Sequence, residues 1–218
     1  AITPDDTKVL NNLGMAYYFK GEVSTAVKFL RDAIDKDEKN SDARVNLAGI
    51  YYAQGKTQLS LEQYQIVTKD LIYTYQFRTY YNMAIIKEKQ GKIQEARQLL
   101  AKSIDENKGY CPAYYLTGQM NEKAHDLKSA LTSYQDATKG QCYEEPAPHF
   151  SQAKVLMKLG RYAEAQEKLE MVMEKFSRTP YFPMASQELA KLKKSTNLKE
   201  ENYLQKARMQ MDKLRDSE

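Results

Sequence analysis

The sequence predicts an all-α protein, an α-solenoid of about five helical hairpins followed by C-terminal capping helices. Three observations carry that reading. Turn residues recur at a fixed period: Gly21, Gly55, Gly91 and Gly160, with His125 in the one missing place, give spacings of 34, 36, 34 and 35. A period in this range is the signature of stacked helical or mixed repeats. Small residues recur at two offsets from those turns. Seven before lie Gly14, Ala48, Ala84, Gly118 and Ala153, and five after lie Ala26, Ser60, Ala96, Ala130 and Ala165, so the two helices of each hairpin can cross closely. Four residues further on stand Leu30, Tyr64, Leu100, Tyr134 and Leu169, then three beyond them Ala33, Val67, Ser103, Ala137 and Val172. A step of four and then three traces one helix face.

Composition excludes the alternatives. The 218 residues include only 9 Gly and 6 Pro, too few for the tight turns of a sandwich or barrel. No apolar run approaches the roughly 18 residues that cross a bilayer as a helix, and mean hydropathy is -0.73. A net charge of +4, from 33 Lys and Arg against 29 Asp and Glu, is too small and too interleaved for phosphate-backbone recognition, which needs a concentrated basic patch. The sequence opens Ala1-Ile2-Thr3-Pro4, which leaves room for an upstream signal or lipid-attachment segment.

These offsets and residue types resemble the tetratricopeptide repeat, a helix-turn-helix unit of about 34 residues. The resemblance covers residues 7–180, with repeats expected at 7–40, 41–74, 77–110, 111–144 and 146–180. Two insertions interrupt the count: the Tyr-rich connection Leu71-Ile72-Tyr73-Thr74-Tyr75-Gln76, and a residue near Glu145. Arg44 and His149 depart from the repeat pattern, which favours a large apolar or aromatic side chain there, and His125 replaces the turn glycine. Each hairpin cannot bury its apolar face alone, so stacking builds one core and a concave side. The expected division is a solenoid over 1–180 and a C-terminal segment over 181–218. Within that segment 183–194 reads as an amphipathic cap carrying Met184, Leu189 and Leu192. Ser195-Thr196-Asn197 supplies turn and N-cap chemistry before a last helix over 198–214 with Leu204, Ala207, Met211 and Leu214 at helical spacing. That last helix either covers the exposed end of the array or detaches to bind a partner.

Catalytic chemistry is hard to assemble from this chain. It has two His and two Cys, and nucleophilic catalysis needs a base beside its nucleophile. His125 falls in a turn and His149 near the start of a repeat, at opposite edges. Cys111, Cys142 and His149 all fall in or beside inter-repeat connections, but without the close C-x2-C pairing that marks structural zinc. No phosphate-binding glycine loop and no H-E-x-x-H is present. The sequence therefore predicts no enzyme, no cofactor and no metal. Cys111 and Cys142 lie one repeat apart on one edge, where a disulfide closing a loop of about 32 residues is geometrically reasonable and would contribute roughly 3 to 4 kcal/mol. Two free buried thiols are the alternative.

The resemblance implies that the first helix of each repeat lines a partner-binding groove. It assigns Asn11, Asn12, Met15, Tyr18 and Phe19 from repeat 1, and Val45, Asn46, Gly49 and Tyr52 from repeat 2. Arg78, Tyr81, Asn82, Ile85 and Glu88 come from repeat 3, Tyr115, Gln119 and Glu122 from repeat 4, and Phe150, Lys154 and Met157 from repeat 5. Asn12, Asn46 and Asn82 form a ladder whose amides could bond a peptide main chain, and the aromatics offer rigid contact area or, alternatively, pack between repeats. Some members of the family clamp a C-terminal carboxylate with Lys, Asn and Arg. Here Asn46 and Arg78 match, but Asn11 and Met15 do not, which argues for an apolar, partly aromatic peptide or helix instead.

Narrower stretches resemble the type IV pilus pilotins, lipoproteins that assist secretin assembly at the outer membrane. They are Asp70-Leu71-Ile72-Tyr73-Thr74 with Arg78-Thr79-Tyr80-Tyr81-Asn82-Met83-Ala84, then Gly109-Tyr110-Cys111-Pro112-Ala113-Tyr114-Tyr115 with Cys142, and Glu170-Met171-Val172-Met173-Glu174-Lys175-Phe176-Ser177. This resemblance implies a secretin or pilus-machinery partner on the periplasmic side of the outer membrane. The other reading is an intracellular adaptor for signalling or polarity proteins.

Overall fold

The computed structural model describes residues 7–195, and everything described is helix, turn or connection. In order come α1 (Thr7–Phe19), α2 (Val23–Lys36), α3 (Ser41–Ala53), α4 (Thr57–Val67), α5 (Gln76–Lys89), α6 (Ile93–Glu106), α7 (Cys111–Lys123), α8 (Leu127–Asp136), a 3-10 turn (Gly140–Glu144), α9 (Pro146–Lys158) and α10 (Tyr162–Lys175). A further helix, α11, occupies 181–195. The last helix expected from sequence, over 198–214, lies outside the described residues.

Each expected hairpin forms, and the turns share one construction. The amide three residues past each first helix bonds back five residues: Glu22 to Tyr17 (2.9 Å), Lys56 to Tyr51 (2.8 Å), Lys92 to Lys87 (2.9 Å), Asp126 to Asn121 (3.0 Å) and Arg161 to Leu156 (3.0 Å). This is the Schellman closure, and it requires a left-handed residue just before that amide. Gly21, Gly55, Gly91 and Gly160 supply it with φ of 86°, 74°, 73° and 75°. His125 adopts φ 59° at the same place, a conformation to which a Cβ is ill suited. Side-chain caps start two helices: Asn40 Oδ1 accepts from the Ala43 amide (2.9 Å) and Asp126 Oδ1 from the Ser129 amide (3.1 Å).

The described residues fall into two compact units divided between Ala113 and Tyr114. In the first, α1/α2, α3/α4 and α5/α6 bury Leu30, Ala33, Ala48, Val67, Ala84 and Leu100, all at 1% exposure or less. In the second, Tyr134, Ala153, Leu169, Val172 and Ala185 are equally buried. Ala185, Leu189 and Leu192 of α11 join the same core cluster as Leu131, Phe150 and Leu169. α11 thus packs into the core of the second unit, and the boundary between the two compact units falls within the first turn of α7.

The residues that depart from the repeat pattern are accommodated by polar contacts. Arg44 donates from Nε and Nη2 to the Glu38 carbonyl (both 3.0 Å) and from Nη1 to Gln63 Oε1 (3.0 Å). His149, 1% exposed, bonds the Tyr143 carbonyl through Nε2 at 2.8 Å and lies against the Tyr143 and Phe176 rings.

Candidate partner-binding groove

The sequence-assigned groove residues separate into two sets, one in each unit. In the first unit, the asparagine ladder is largely occupied by the fold itself. Asn46 Nδ2 donates to Asn11 Oδ1 at 2.8 Å, and Asn11 Nδ2 reaches Asn12 Oδ1 at 3.5 Å. Asn82 hydrogen-bonds the buried Tyr64 hydroxyl, whose pKa burial raises to about 12 while the Asn82 bond partly opposes the rise. Asn12 is exposed, Met15, Val45, Gly49, Ile85 and Glu88 are half-buried, and Phe19 stands 80% exposed beside the half-buried Tyr18 at 5.9 Å between rings. Lys89 lies over the Tyr52 ring at 5.0 Å, and Tyr81 packs edge-on against Tyr110 at 5.4 Å. Arg78 is exposed, its guanidinium stacked over Tyr75 at 5.0 Å. Two of the three ladder amides therefore join neighbouring helices, a role the repeat position alone does not distinguish from ligand binding.

In the second unit the assigned residues come together around a cavity of about 540 Å³. Tyr115, Gln119 and Glu122 project from α7, Phe150 and Lys154 from α9, and α11 closes one side with Tyr181 and Met184. Lys123, Tyr134, Ser151 and Lys158 complete the lining. Met157, assigned with them, packs against the core instead. The floor is aromatic. Tyr134 from α8 is 1% exposed, with the Tyr115 ring 5.5 Å away, and Phe150 meets Tyr181 edge-on at 5.7 Å.

Above this floor sits a small polar network. Glu122 accepts from Lys158 Nζ at 2.6 Å and from the Tyr134 hydroxyl at 2.8 Å. Burial of the Glu122 carboxyl works to raise its pKa, but those two hydrogen bonds outweigh it and hold the group below the usual carboxylate range. Burial, reinforced by Glu122, pushes the Tyr134 phenol well above its ordinary value. Tyr115 Oη and Ser151 Oγ lie 3.4 Å apart at the rim, and Lys154 extends over the Phe150 ring at 6.0 Å. Three lysines thus border the cavity against a single carboxylate that is already ion-paired. Such a surface matches a segment with apolar or aromatic anchors and carboxylates flanking them.

Residues 3–188 match the family model described as the tetratricopeptide repeat protein 21 C-terminal ARM domain. The chain belongs to this family. No curated protein matches it. Solved tetratricopeptide-type structures share the fold. The structure from the functional characterisation of Pseudomonas aeruginosa pilF aligns with a TM-score of 0.67 at 17% identity, over 85% of this chain and 91% of that one. YrrB, a TPR protein with an unusual peptide-binding site, aligns at 0.58 and 13%, over 84% and 93%. PilW, a widely conserved type IV pilus biogenesis factor, aligns at 0.51 and 17%, over 82% and 97%. At these identities the likeness is one of fold.

Sequence reasoning missed six contributors to this tetratricopeptide-type groove: Lys123 and Ser151, each adjacent in sequence to an assigned residue, and Tyr134, Lys158, Tyr181 and Met184. Tyr134 was placed in the core ladder, where it belongs, and its ring edge serves the cavity as well. Lys158 follows Lys154 by one helical turn, so extending the assigned face would have found it. Tyr181 and Met184 lie beyond the last repeat, where the period gives no register.

Neither cysteine is a free thiol: Cys111 and Cys142 are both disulfide-bonded. Near Cys142, the buried His149 has no hydrogen-bond partner for Nδ1 among the described residues. Burial lowers its pKa, the Tyr143 carbonyl opposes that, and Lys168 and Lys175 lower it further while Glu144 opposes them. The unfolded chain binds a proton at this His at about pH 6.5, whereas the folded chain resists protonation until lower pH. The contribution is therefore complete above that value and is lost as pH falls through it. Melting temperature should drop as pH falls below about 6.5 in the parent protein and drop less in His149→Gln, whose amide can still donate to the Tyr143 carbonyl.

Proposed function

We propose that this protein is a non-enzymatic scaffold that captures a segment of a protein partner in the groove between α7, α9 and α11. The observation that carries the proposal is the convergence of Tyr115, Phe150 and Tyr181 with Lys154 and Lys158 around one cavity. Tyrosines present large contact area with few rotatable bonds, so ordering them on binding costs little entropy. Lysines at the rim steer and orient an acidic partner. The Glu122 bonds to Lys158 and Tyr134 hold the lining in place before the partner arrives, which lowers the cost of association. That YrrB is a TPR protein with an unusual peptide-binding site supports reading the cavity as a peptide site.

The partner class we propose is a secretin or other pilus-machinery protein, met on the periplasmic side of the outer membrane. Two observations support it. Both cysteines are disulfide-bonded, and disulfides persist in oxidising compartments. The fold is also that of PilW, a type IV pilus biogenesis factor. The alternative, an intracellular adaptor for signalling or polarity proteins, is tested by the same experiment. Affinity capture from native extract is run with the parent protein beside Tyr115→Ala/Lys154→Glu. Recovery of a secretin or pilus component that the double variant loses supports the proposal, with affinity down by at least about thirtyfold, as hot-spot truncation gives. Loss of cytoplasmic regulators instead moves the protein inside the cell. Identical capture by both proteins removes the groove as the site.

A further inference from the structure

The connection between α4 and α5 presents the most exposed aliphatic side chains among the described residues. Leu71 is 93% and Ile72 87% exposed. Exposure of this kind in a soft loop would mean little, but this loop is built. Asp70 Oδ2 accepts from Ser41 Oγ at 2.6 Å, and its Oδ1 accepts from the Ile72 amide at 3.3 Å. The Tyr73 hydroxyl donates to Asp42 at 3.1 Å. Buried Gln76 donates through Nε2 to the carbonyls of Val67 (2.8 Å) and Asp70 (2.7 Å), which fixes both ends of the tip. Behind it Tyr73, Tyr75 and Phe77 run as a chain of edge-on rings, with Arg78 laid over Tyr75. The connection also contains the two extra residues of the 36-residue spacing between Gly55 and Gly91. The insertion lifts an aliphatic pair clear of the surface and the polar contacts hold it there.

Beside this knob lies a hollow of about 440 Å³, lined by Leu71 and Ile72 themselves, by Ile66, 42% exposed, and by Glu38, Lys39, Ser41, Arg44, Lys69 and Asp70. Convex and concave apolar features therefore stand side by side in one patch. Its rim carries both signs of charge, Lys39, Arg44 and Lys69 with Glu38 and Asp70. A patch holding a knob next to a hollow, and cations next to anions, contains both halves of each pairing that an isologous two-fold interface needs. An anionic lipid surface would call for a rim of one sign, and this rim is mixed. We propose that this patch is a homodimer interface, in which Leu71 and Ile72 of each copy seat in the hollow beside Ile66 of the other.

The test is sedimentation velocity across a concentration series, comparing the parent chain with Leu71→Ser/Ile72→Ser. Both side chains are exposed, so the variant keeps its helical circular dichroism and melting temperature. The parent should show a reversible dimer, and the variant a dissociation constant raised at least about a hundredfold, two apolar anchors at tenfold or more each. A photoreactive residue at position 72 should crosslink to residues 38–72 of an isotope-labelled second copy. A parent that stays monomeric at every concentration overturns the proposal, as does a dimer indifferent to the double substitution. So does a crosslink outside that patch. Monomer that instead floats with phosphatidylglycerol and phosphatidylethanolamine vesicles, and loses that in the variant, assigns the knob to lipid and likewise overturns it.

Discussion

Tyr134→Ala should lower the free energy of unfolding by about 3 to 5 kcal/mol, the range for removing a buried aromatic ring. The side chain is 1% exposed and fills the space between α7 and α8, where its ring lies beside Gly118 and 5.5 Å from Tyr115. Alanine leaves a cavity that two helices crossing at a glycine cannot close without losing their other contacts. It also removes one of two donors to the half-buried Glu122 carboxylate. Tyr134→Phe separates the two effects, because it keeps the ring and removes only the hydroxyl. Its cost should be about 1.5 to 3 kcal/mol, that of a hydrogen bond to a charged group, with Lys158 still pairing Glu122. Urea denaturation followed by circular dichroism measures both. Equal losses for Ala and Phe would mean that the polar network, not the ring, holds this hairpin.

Gly118→Ala should destabilise the same hairpin through a single added methyl. A Cβ there would come within 2.5 and 2.6 Å of two Tyr134 ring carbons, closer than carbon atoms approach. The ring cannot swing aside, since it is buried and its hydroxyl is bonded to Glu122. The helices must separate instead, at a cost of about 1 to 3 kcal/mol or more for overpacking. The equivalent position in the first repeat behaves differently. At Gly14 the added Cβ meets Leu30 Cγ at 2.7 Å, Leu30 Cδ2 at 3.0 Å and the Ala26 carbonyl oxygen at 3.2 Å, each longer than its counterpart at Gly118, and Leu30 has no hydroxyl bonded to a neighbour to hold it in place. Gly14→Ala should therefore cost less than Gly118→Ala when the two melting curves are compared. A Gly118→Ala protein as stable as its parent would show that α7 and α8 can part freely, and that the close crossing is incidental.

Most of the fold was legible because a repeat states each constraint five times. Every member of the ladder Leu30, Tyr64, Leu100, Tyr134 and Leu169 is 2% exposed or less, and Ala26, Ser60, Ala96, Ala130 and Ala165 are at 0%. The turn positions were equally plain, to the point that His125 could be assigned a glycine's place and has the positive φ to match. The groove was legible only by helix face. In the second unit that face gathers Tyr115, Gln119, Glu122, Phe150 and Lys154, which line one cavity. It does not reveal that Asn46 would turn to Asn11, or Asn82 to Tyr64, because both alternatives place the amide on the same side of its helix. Nor does it reveal the Glu122 and Lys158 pair, whose members are 36 positions apart. The α11 contribution was invisible for a simpler reason: Tyr181 follows the last turn signal, and nothing after it repeats.

The Gln76 side chain carries a kinetic implication. It is the first residue of α5 yet donates to carbonyls at the end of α4 and in the connection, so two of the bonds that hold the tip carrying Leu71 and Ile72 form only once α5 has begun. A chain emerging from the ribosome makes α3 and α4 first, so the bonds to Ser41 and Asp42 can form while those of Gln76 are still missing. The aliphatic pair has its full set of anchors only when α5 arrives. For the proposed pairing of two copies, the patch is therefore complete only in a chain whose α5 has been made, which favours pairing of folded units over pairing of shorter nascent chains.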